Sequence, residues 1–294
     1  RITALSVKPA TFVPEPYGTK TMKSDTEEKY LQQVNRVIDY INSHLNEPLR
    51  VETLAREVCL SEYHFHRIMR AYLHEPLATY IARQRVERAV MYLQMKNIHL
   101  AQVAEMVGYE TPQSLSKAFK QFFGISPTAY RKRRAERYEE FSTLKKESLK
   151  PEILTEPELK LVYIRIIGRY GEEEPYIEAW RKLRDFLQIN GLLTPSTRWI
   201  GISFDDPTVT KTEQCRFYAC ATVEHDVSPQ GAFGMKTIPQ GRYAVYTLRG
   251  SYSGLQEMYD RIYSHPLPTA FRDATSFEEY LLSLIHISEP TRQA

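Results

Sequence analysis

The sequence predicts an all-α domain followed by an α+β domain, and three observations predict it. A helix-turn-helix unit is spelled twice, about fifty residues apart. Beyond residue 150 the apolar spacing changes from helical periodicity to short strand-forming runs broken by helices. The charge changes sign near the same place: residues 25 to 137 hold 17 Lys and Arg against 13 Asp and Glu, and residues 138 to 294 hold 18 against 22. A length of 294 residues with 42% hydrophobic content suffices for two ordinary globular domains.

The elements follow in order. Residues 1–24 are polar, Pro-containing and aperiodic, and read as a disordered or non-native leader, with Met22 as a candidate translation start. A first helix then places Leu31, Val34, Ile38, Ile41 and Leu45 on one face. The first repeated unit reads Leu54-Ala55-Arg56-Glu57-Val58-Cys59-Leu60-Ser61, then Phe65, Met69, Leu73 and Tyr80. The second reads Val103-Ala104-Glu105-Met106-Val107-Gly108-Tyr109, then Leu115, Phe119, Phe123 and Tyr130. In each, a small Ala (Ala55, Ala104) suits a close helix crossing, and Cys59 or Gly108 suits the tight turn. Ser61, Thr111-Pro112 and Ser126-Pro127 mark helix starts. Phe65, Ile68, Met69 and Tyr72 repeat at helical spacing and are expected to face inward, which turns Glu62, Tyr63, His66, Arg67 and Arg70 outward. Gln113, Ser116, Lys117 and Lys120 take the same positions in the second unit. Two such units in tandem imply two helices laid into neighbouring stretches of DNA major groove.

The run from Leu31 to Arg134 resembles the double helix-turn-helix domain of the AraC/XylS transcription regulators, including its ending Phe122-Phe123-Gly124-Ile125-Ser126-Pro127-Thr128-Ala129-Tyr130-Arg131. The resemblance implies a long joining helix, here Leu77 to Met95, spanning about 28 Å at 1.5 Å per residue. It departs from the family at Cys59, where a glycine is usual. By position in the motif, Tyr63, His66, Arg67 and Arg70 in the first unit and Gln113, Ser116, Lys117 and Lys120 in the second are the candidate DNA-binding residues. Their chemistry agrees: Arg grips guanine, Gln adenine, Ser either, and Tyr packs on a thymine methyl. The run Arg131-Lys132-Arg133-Arg134 is a candidate phosphate contact or a solvated helix end.

In the second half, Leu159 to Ile167 reads as a strand, and Glu172 to Asn190 as a helix with Ile177, Trp180, Leu183, Phe186 and Leu187 on one side, stopped by Gly191. Strands follow at Arg198 to Phe204 and Gln214 to Val223, with the turn Asp205-Asp206-Pro207 between them. A second strand (Arg242 to Arg249) and helix (Gly254 to Ser264) repeat the order. Gly168-Arg169-Tyr170 and Gly250-Ser251-Tyr252 occupy matching junctions, so this domain too reads as duplicated.

These residues resemble the GyrI-like (Rob-type) effector-binding domain over Leu159 to Leu281: the two Gly-x-Tyr junctions, Trp180, Asp205-Asp206-Pro207, Cys215-Arg216 and Phe277-Glu278-Glu279-Tyr280. The resemblance implies two strand-helix-strand-strand repeats around an aromatic pocket with an acidic residue inside, which takes amphipathic, often cationic, small molecules. Glu278 matches the pocket carboxylate, and Trp180, Tyr170, Tyr246 and Tyr252 are the candidate aromatic lining. Trp180 on an apolar helix face is more often a core residue than a ligand platform, Tyr170, Tyr246 and Tyr252 equally read as packing residues, and strand alternation leaves Glu279 as the rival inward carboxylate. Two departures bear on the pocket: Tyr218 stands where the family usually has Asp, and no final strand is legible after Leu281.

The chain therefore divides into the leader (1–24), an AraC-type DNA-binding domain (25–137), a linker (138–158), a GyrI-like domain (159–282) and a tail (283–294) that reads as non-native translated adapter sequence. Three cysteines (Cys59, Cys215, Cys220) form no disulfide framework or zinc spacing, and His64 and His66 flank a core position rather than forming a ligand set, so neither metal nor cofactor is expected. With no apolar run of membrane length and no secretory leader, the expected location is the cytoplasm. The expected partners are double-stranded DNA and a small-molecule effector, with RNA polymerase an open third and no membrane. Two other functions compete with a ligand-responsive regulator. One is a hydrolase of electrophilic toxins using Glu278 to activate water, against which stands the lack of a paired acid and base, a nucleophile triad or a metal set, so no catalytic residue is assigned. The other is a constitutive DNA binder with a scaffold domain.

Overall fold

The computed structural model describes residues 22–94, 98–144, 151–207, 209–248, 254–264 and 276–281. The first domain is helical: α1 (Met22–Ser43), α2 (Val51–Glu57), α3 (Glu62–Leu73), α4 (Leu77–Leu93), α5 (Leu100–Met106), α6 (Pro112–Phe123) and α7 (Pro127–Leu144). The helix starts follow the predicted chemistry. Ser61 and Thr111 accept hydrogen bonds from the His64 and Ser114 amides, and Ser126 from the Ala129 amide, each cap contributing about 1 kcal/mol.

Two cores form. α1, α2 and α3 close over Val34, Ile38, Ile41, Leu54, Ala55, Phe65 and Met69, joined by Leu77 and Tyr80 from the start of α4. The rest of α4 supplies Val86, Ala89, Val90 and Leu93 to the second core, with Val103, Ala104, Leu115, Phe119 and Tyr130. One continuous helix of about 25 Å therefore belongs to both units and joins them. It ends at Leu93, and the expected extension to Met95 lies outside the described residues. Leu31 and Ile68 are half-buried, whereas Tyr72, expected inside, is 37% exposed, and Ile68 and Leu73 pack beside Phe65 and Met69 against the first core. The turns carry left-handed backbone at Cys59 (φ 54°) and Gly108 (φ 77°). At Gly108 a Cβ would meet the Leu45 carbonyl oxygen at 2.3 Å, so glycine is needed there for space as well as for φ.

The second domain contains β1 (Glu152–Glu156), β2 (Leu159–Ile167), α8 (Glu173–Ile189), β3 (Trp199–Ser203), β4 (Arg216–Val223), β5 (Phe233–Ile238), β6 (Gly241–Val245), α9 (Leu255–Ser264) and β7 (Glu278–Tyr280). β5, β2, β4, β3 and β7 form an antiparallel sheet in that order, and β1 pairs with β6. The first repeat runs β2-α8-β3-β4 as expected, and the second runs β6-α9-β7, the residues after Leu281 lying outside the described residues. Each repeat also has a leading strand that the sequence reading omitted: β1 before β2 and β5 before β6, so that β2 pairs with β5 as β1 pairs with β6. Residues 138–158, read as linker, hold the end of α7 and all of β1, which gains its backbone partners only from a strand 85 residues later in the chain (Glu156 opposite Gly241). Residues 22–24 of the predicted leader belong to α1, and the rest of that stretch and the tail lie outside the described residues.

Strand alternation gives the sheet two different faces. Val162, Ile164, Ile166, Gly201, Ser203, Phe217, Ala219, Glu278 and Tyr280 take the α8 side, where α8 buries Trp180, Leu183 and Leu187. Ile177, expected on that side, is 36% exposed, and Tyr176 packs inward instead, its ring centroid 4.8 Å from Phe217. Leu161, Tyr163, Ile200, Ile202, Tyr218 and Cys220 take the opposite side. No helix among the described residues is long and apolar enough to cross a membrane.

Candidate functional sites

Residues 63, 66, 67 and 70 of α3 and 113, 116, 117 and 120 of α6 have the same i, i+3, i+4, i+7 spacing, so each set occupies one helix face. Tyr63 is 74% exposed, and His66, Arg67, Arg70, Gln113, Lys117 and Lys120 are also exposed; Ser116 is half-buried. The Arg67 guanidinium lies over the Tyr63 ring, 5.9 Å from its centroid, which orders a flexible cation before any partner arrives. His64 turns away from this face and bonds the Tyr30 hydroxyl at 3.0 Å.

The basic run after the second unit divides in two. Arg131 donates to the Ile98 carbonyl at 2.6 Å and Arg134 to the Gln94 carbonyl at 3.4 Å, so both close the end of α4 rather than project as a group. Lys132 and Arg133 remain exposed, with Lys132 3.8 Å from Glu136.

The second candidate site is built on β7. Glu278 lies opposite Gly201 of β3, is 4% exposed, and accepts hydrogen bonds from Ser203 Oγ at 3.0 Å, Tyr259 OH at 2.5 Å and Tyr280 OH. Its donors are neutral hydroxyls, and no cationic partner is found for it among the described residues. Gly201 lets the Phe217 and Tyr280 rings close directly over β3, since a Cβ there would meet Phe217 at 2.6 Å and Tyr280 at 2.7 Å. Glu279 points to the other face and forms a two-armed pair with Arg198 (3.0 and 2.9 Å), which also reaches Glu156 at 2.8 Å. The alternation left open by the sequence therefore resolves to Glu278 as the inward carboxylate.

The predicted aromatic residues take different places. Trp180 is 4% exposed and packs edge-on against Tyr280 (5.5 Å), Trp199 (6.2 Å) and Phe217 (6.3 Å), which puts it one side chain from the carboxylate. Tyr170 shares its hydroxyl proton between the Asp205 and Arg216 carbonyls (3.2 and 3.0 Å) and accepts the Asp205 amide (2.9 Å). Burial, reinforced by the Asp205 charge, raises its pKa far above the tyrosine range and keeps that proton in place. Tyr246 is half-buried beyond β6, and burial raises its pKa. Tyr252 lies outside the described residues. Ser203, Tyr259 and Tyr280 are not expected from the sequence as partners of the carboxylate. Tyr280 was detectable from its i+2 offset to Glu278 on one strand, whereas Ser203 and Tyr259 reach the carboxylate only through tertiary packing.

Two comparisons extend these observations. Residues 54–133 match the helix-turn-helix domain family, and residues 149–283 match the GyrI-like small molecule binding domain family. The chain is 30% identical over 98 residues to the HTH-type transcriptional activator AarP of Providencia stuartii, covering 33% of this chain and 73% of that protein. It is 32% identical over 99 residues to the Msm operon regulatory protein of Streptococcus mutans serotype c (strain ATCC 700610 / UA159), covering 34% of this chain but only 36% of that relative's length. A longer match, 22% identical over 251 residues, covers 80% of this chain and 84% of the right origin-binding protein of Escherichia coli (strain K12).

Proposed function

This chain belongs to the AraC/XylS-type helix-turn-helix transcription regulators and carries a C-terminal GyrI-like domain, and from that premise we propose that it is a ligand-responsive DNA reader. α3 and α6 enter adjacent major-groove segments, with Tyr63, His66, Arg67, Gln113, Ser116 and Lys117 at base edges and Arg70 and Lys120 at or near phosphate. What supports this is the pair of outward faces with one spacing, on two units joined by a helix that is part of both cores.

The effector is an amphipathic cation received at Glu278. A single observation carries this reading: a carboxylate 4% exposed, among aromatic rings, whose bonding partners among the described residues are hydroxyls and not a counter-charge. A buried anion without a cation is costly, and a cationic ligand that exchanges with those hydroxyls offsets the cost. Occupancy of the site changes the probability that both reading helices engage DNA together.

The test has two arms. Selection from a random duplex library with the full chain should enrich one two-part sequence. Calorimetry with a matched aromatic cation and neutral isostere should show heat for the cation first. Enrichment of nothing rejects DNA reading; equal binding of the two compounds rejects the counter-charge role; turnover of either compound to product would favour the hydrolase reading.

A further inference from the structure

The sheet face opposite the Glu278 site is joined to the helical domain by a buried polar network, and that network touches both helix-turn-helix units. Arg216, the first residue of β4, is 6% exposed. Its guanidinium bonds Asp205 at 2.5 Å within its own domain, then crosses to Glu87 of α4 at 3.1 Å and to Gln84. Glu87 is held in turn by Arg83 at 3.0 Å, and Arg83 reaches back to Glu75 at 2.5 Å, in the turn that closes α3. Asp206, the neighbour of Asp205, accepts the Tyr130 hydroxyl at 3.0 Å, and the Tyr130 ring packs on Phe119 of α6 with centroids 5.9 Å apart. A continuous set of contacts thus runs from the end of the first reading helix, through three residues of the second domain (Arg216, Asp205 and Asp206), to the core side of the second reading helix.

A second set grips α1, which packs on the first unit. Tyr163 donates to Asp39 at 2.5 Å, Arg165 bonds Asn35 at 2.8 Å and Asp39 at 3.4 Å, Asn35 donates to the Ala232 carbonyl at 3.0 Å, and Gln32 to the Pro229 carbonyl at 2.9 Å. α1, α4 and α7 are therefore all tied to one sheet, while the faces of α3 and α6 stay exposed. This docking leaves the reading faces open, which is the opposite of what an autoinhibitory contact would do.

We propose that the second domain is a splint that sets the distance between the two reading helices, with Arg216 as the positioning residue at its centre. The idea rests on the DNA-reading function proposed above. Two linked modules gain affinity over one only where their separation matches that of their sites, so a part that fixes separation controls which operator spacings are read. Arg216 touches no base; it acts through Glu87 and Asp205, and its loss leaves each head intact but their relation loose. Arg suits this position because its planar fork serves Asp205, Glu87 and Gln84 at once, which a lysine cannot do.

The test uses the two-part duplex selected by the unaltered full chain, the same duplex with one base pair added or removed between its halves, and a duplex with one half only. The unaltered chain should lose about tenfold or more when the spacing changes, as a rigid bivalent reader does. Arg216→Met and Arg216→Lys should lose several-fold on the selected duplex, shrink the spacing penalty to about threefold or less, and bind the half-duplex as the unaltered chain does. Tyr130→Phe combined with Asp206→Asn opens the other end of the network without stranding a buried charge, and should shrink the penalty in the same direction should the Arg216 variants not fold. A spacing penalty equal to that of the unaltered chain in all the folded variants overturns the splint. An unaltered chain that selects no duplex overturns the DNA-reading function instead, so the two failures are distinct.

Discussion

Arg216 of β4 and Glu87 of α4 meet at 3.1 Å across the boundary between the two domains, 129 residues apart in sequence. Around them, three carboxylates (Glu75, Glu87, Asp205) face two guanidiniums (Arg83, Arg216), with Gln84 donating to Glu87 at 2.9 Å. One negative charge is therefore in excess in a buried place. Burial, together with the Asp205 charge and against the pull of Arg216 and Arg83, pushes the Glu87 pKa up from 4.5 to about 7.

The sign of the pH effect follows. Because the folded value lies above the unfolded one, the folded chain holds a proton between 4.5 and about 7 that the unfolded chain has lost, so the Glu87 contribution to stability falls as pH rises through that window. Glu87→Gln imitates the protonated form. Its stability should match the unaltered chain near about pH 5 and exceed it by on the order of 1–3 kcal/mol near about pH 8, read by urea unfolding. A gap that does not change with pH would mean that Glu87 stays ionised throughout.

The two turns should answer differently to mutation. Gly108→Ala meets both the left-handed φ and the Leu45 carbonyl, and should cost about 2–4 kcal/mol. Cys59→Gly removes a strained non-glycine from an exposed turn, and should leave stability within about 1 kcal/mol, the relief offsetting the extra freedom of the unfolded chain. Denaturant midpoints of the two variants check this, and equal losses would contradict it.

On DNA, Arg67→Ala should lose about 1–3 kcal/mol on the selected duplex and little on random duplex. Lys120→Ala should weaken both alike and reduce the salt slope by about one. Fluorescence anisotropy over a salt series reads both, and a uniform loss for Arg67→Ala would move it from base to phosphate.

Much of this is legible in the sequence alone. The duplicated unit was readable because Phe65 and Leu115, Met69 and Phe119, Tyr80 and Tyr130 repeat at a fixed offset, and core periodicity is a local signal. Strand alternation shows in the sequence that Glu278 and Glu279 face opposite ways, but not which of them turns inward, since that depends on which face of β7 meets α8. β1 was missed because a five-residue strand with exposed and half-buried positions looks like linker until its partner is known. The splint was the least visible part. Arg83, Gln84 and Glu87 continue the buried stripe of Tyr80 at i+3, i+4 and i+7, and polar residues on a core stripe signal a buried partner, though not one 129 residues away.

At the effector site, Glu278→Gln keeps the shape and removes the charge, so a cationic ligand should weaken about tenfold or more while a neutral isostere of equal size is spared. Trp180→Ala should weaken both ligands, because it removes the ring behind Tyr280, and should cost about 3–5 kcal/mol of stability as a core cavity. Calorimetry with the matched pair checks both, and equal losses for the two ligands on Glu278→Gln would remove its counter-charge role.

The most direct test of the central claim is reciprocal linkage. The affinity of the selected duplex should be measured with and without a saturating aromatic cation, and the affinity of the cation with and without saturating duplex. If the second domain senses a ligand and passes its occupancy to the reading helices, the two ratios are equal and differ from one by about fivefold or more, and both return to one in Glu278→Gln. A cation that binds at Glu278 while leaving duplex affinity unchanged would contradict the account.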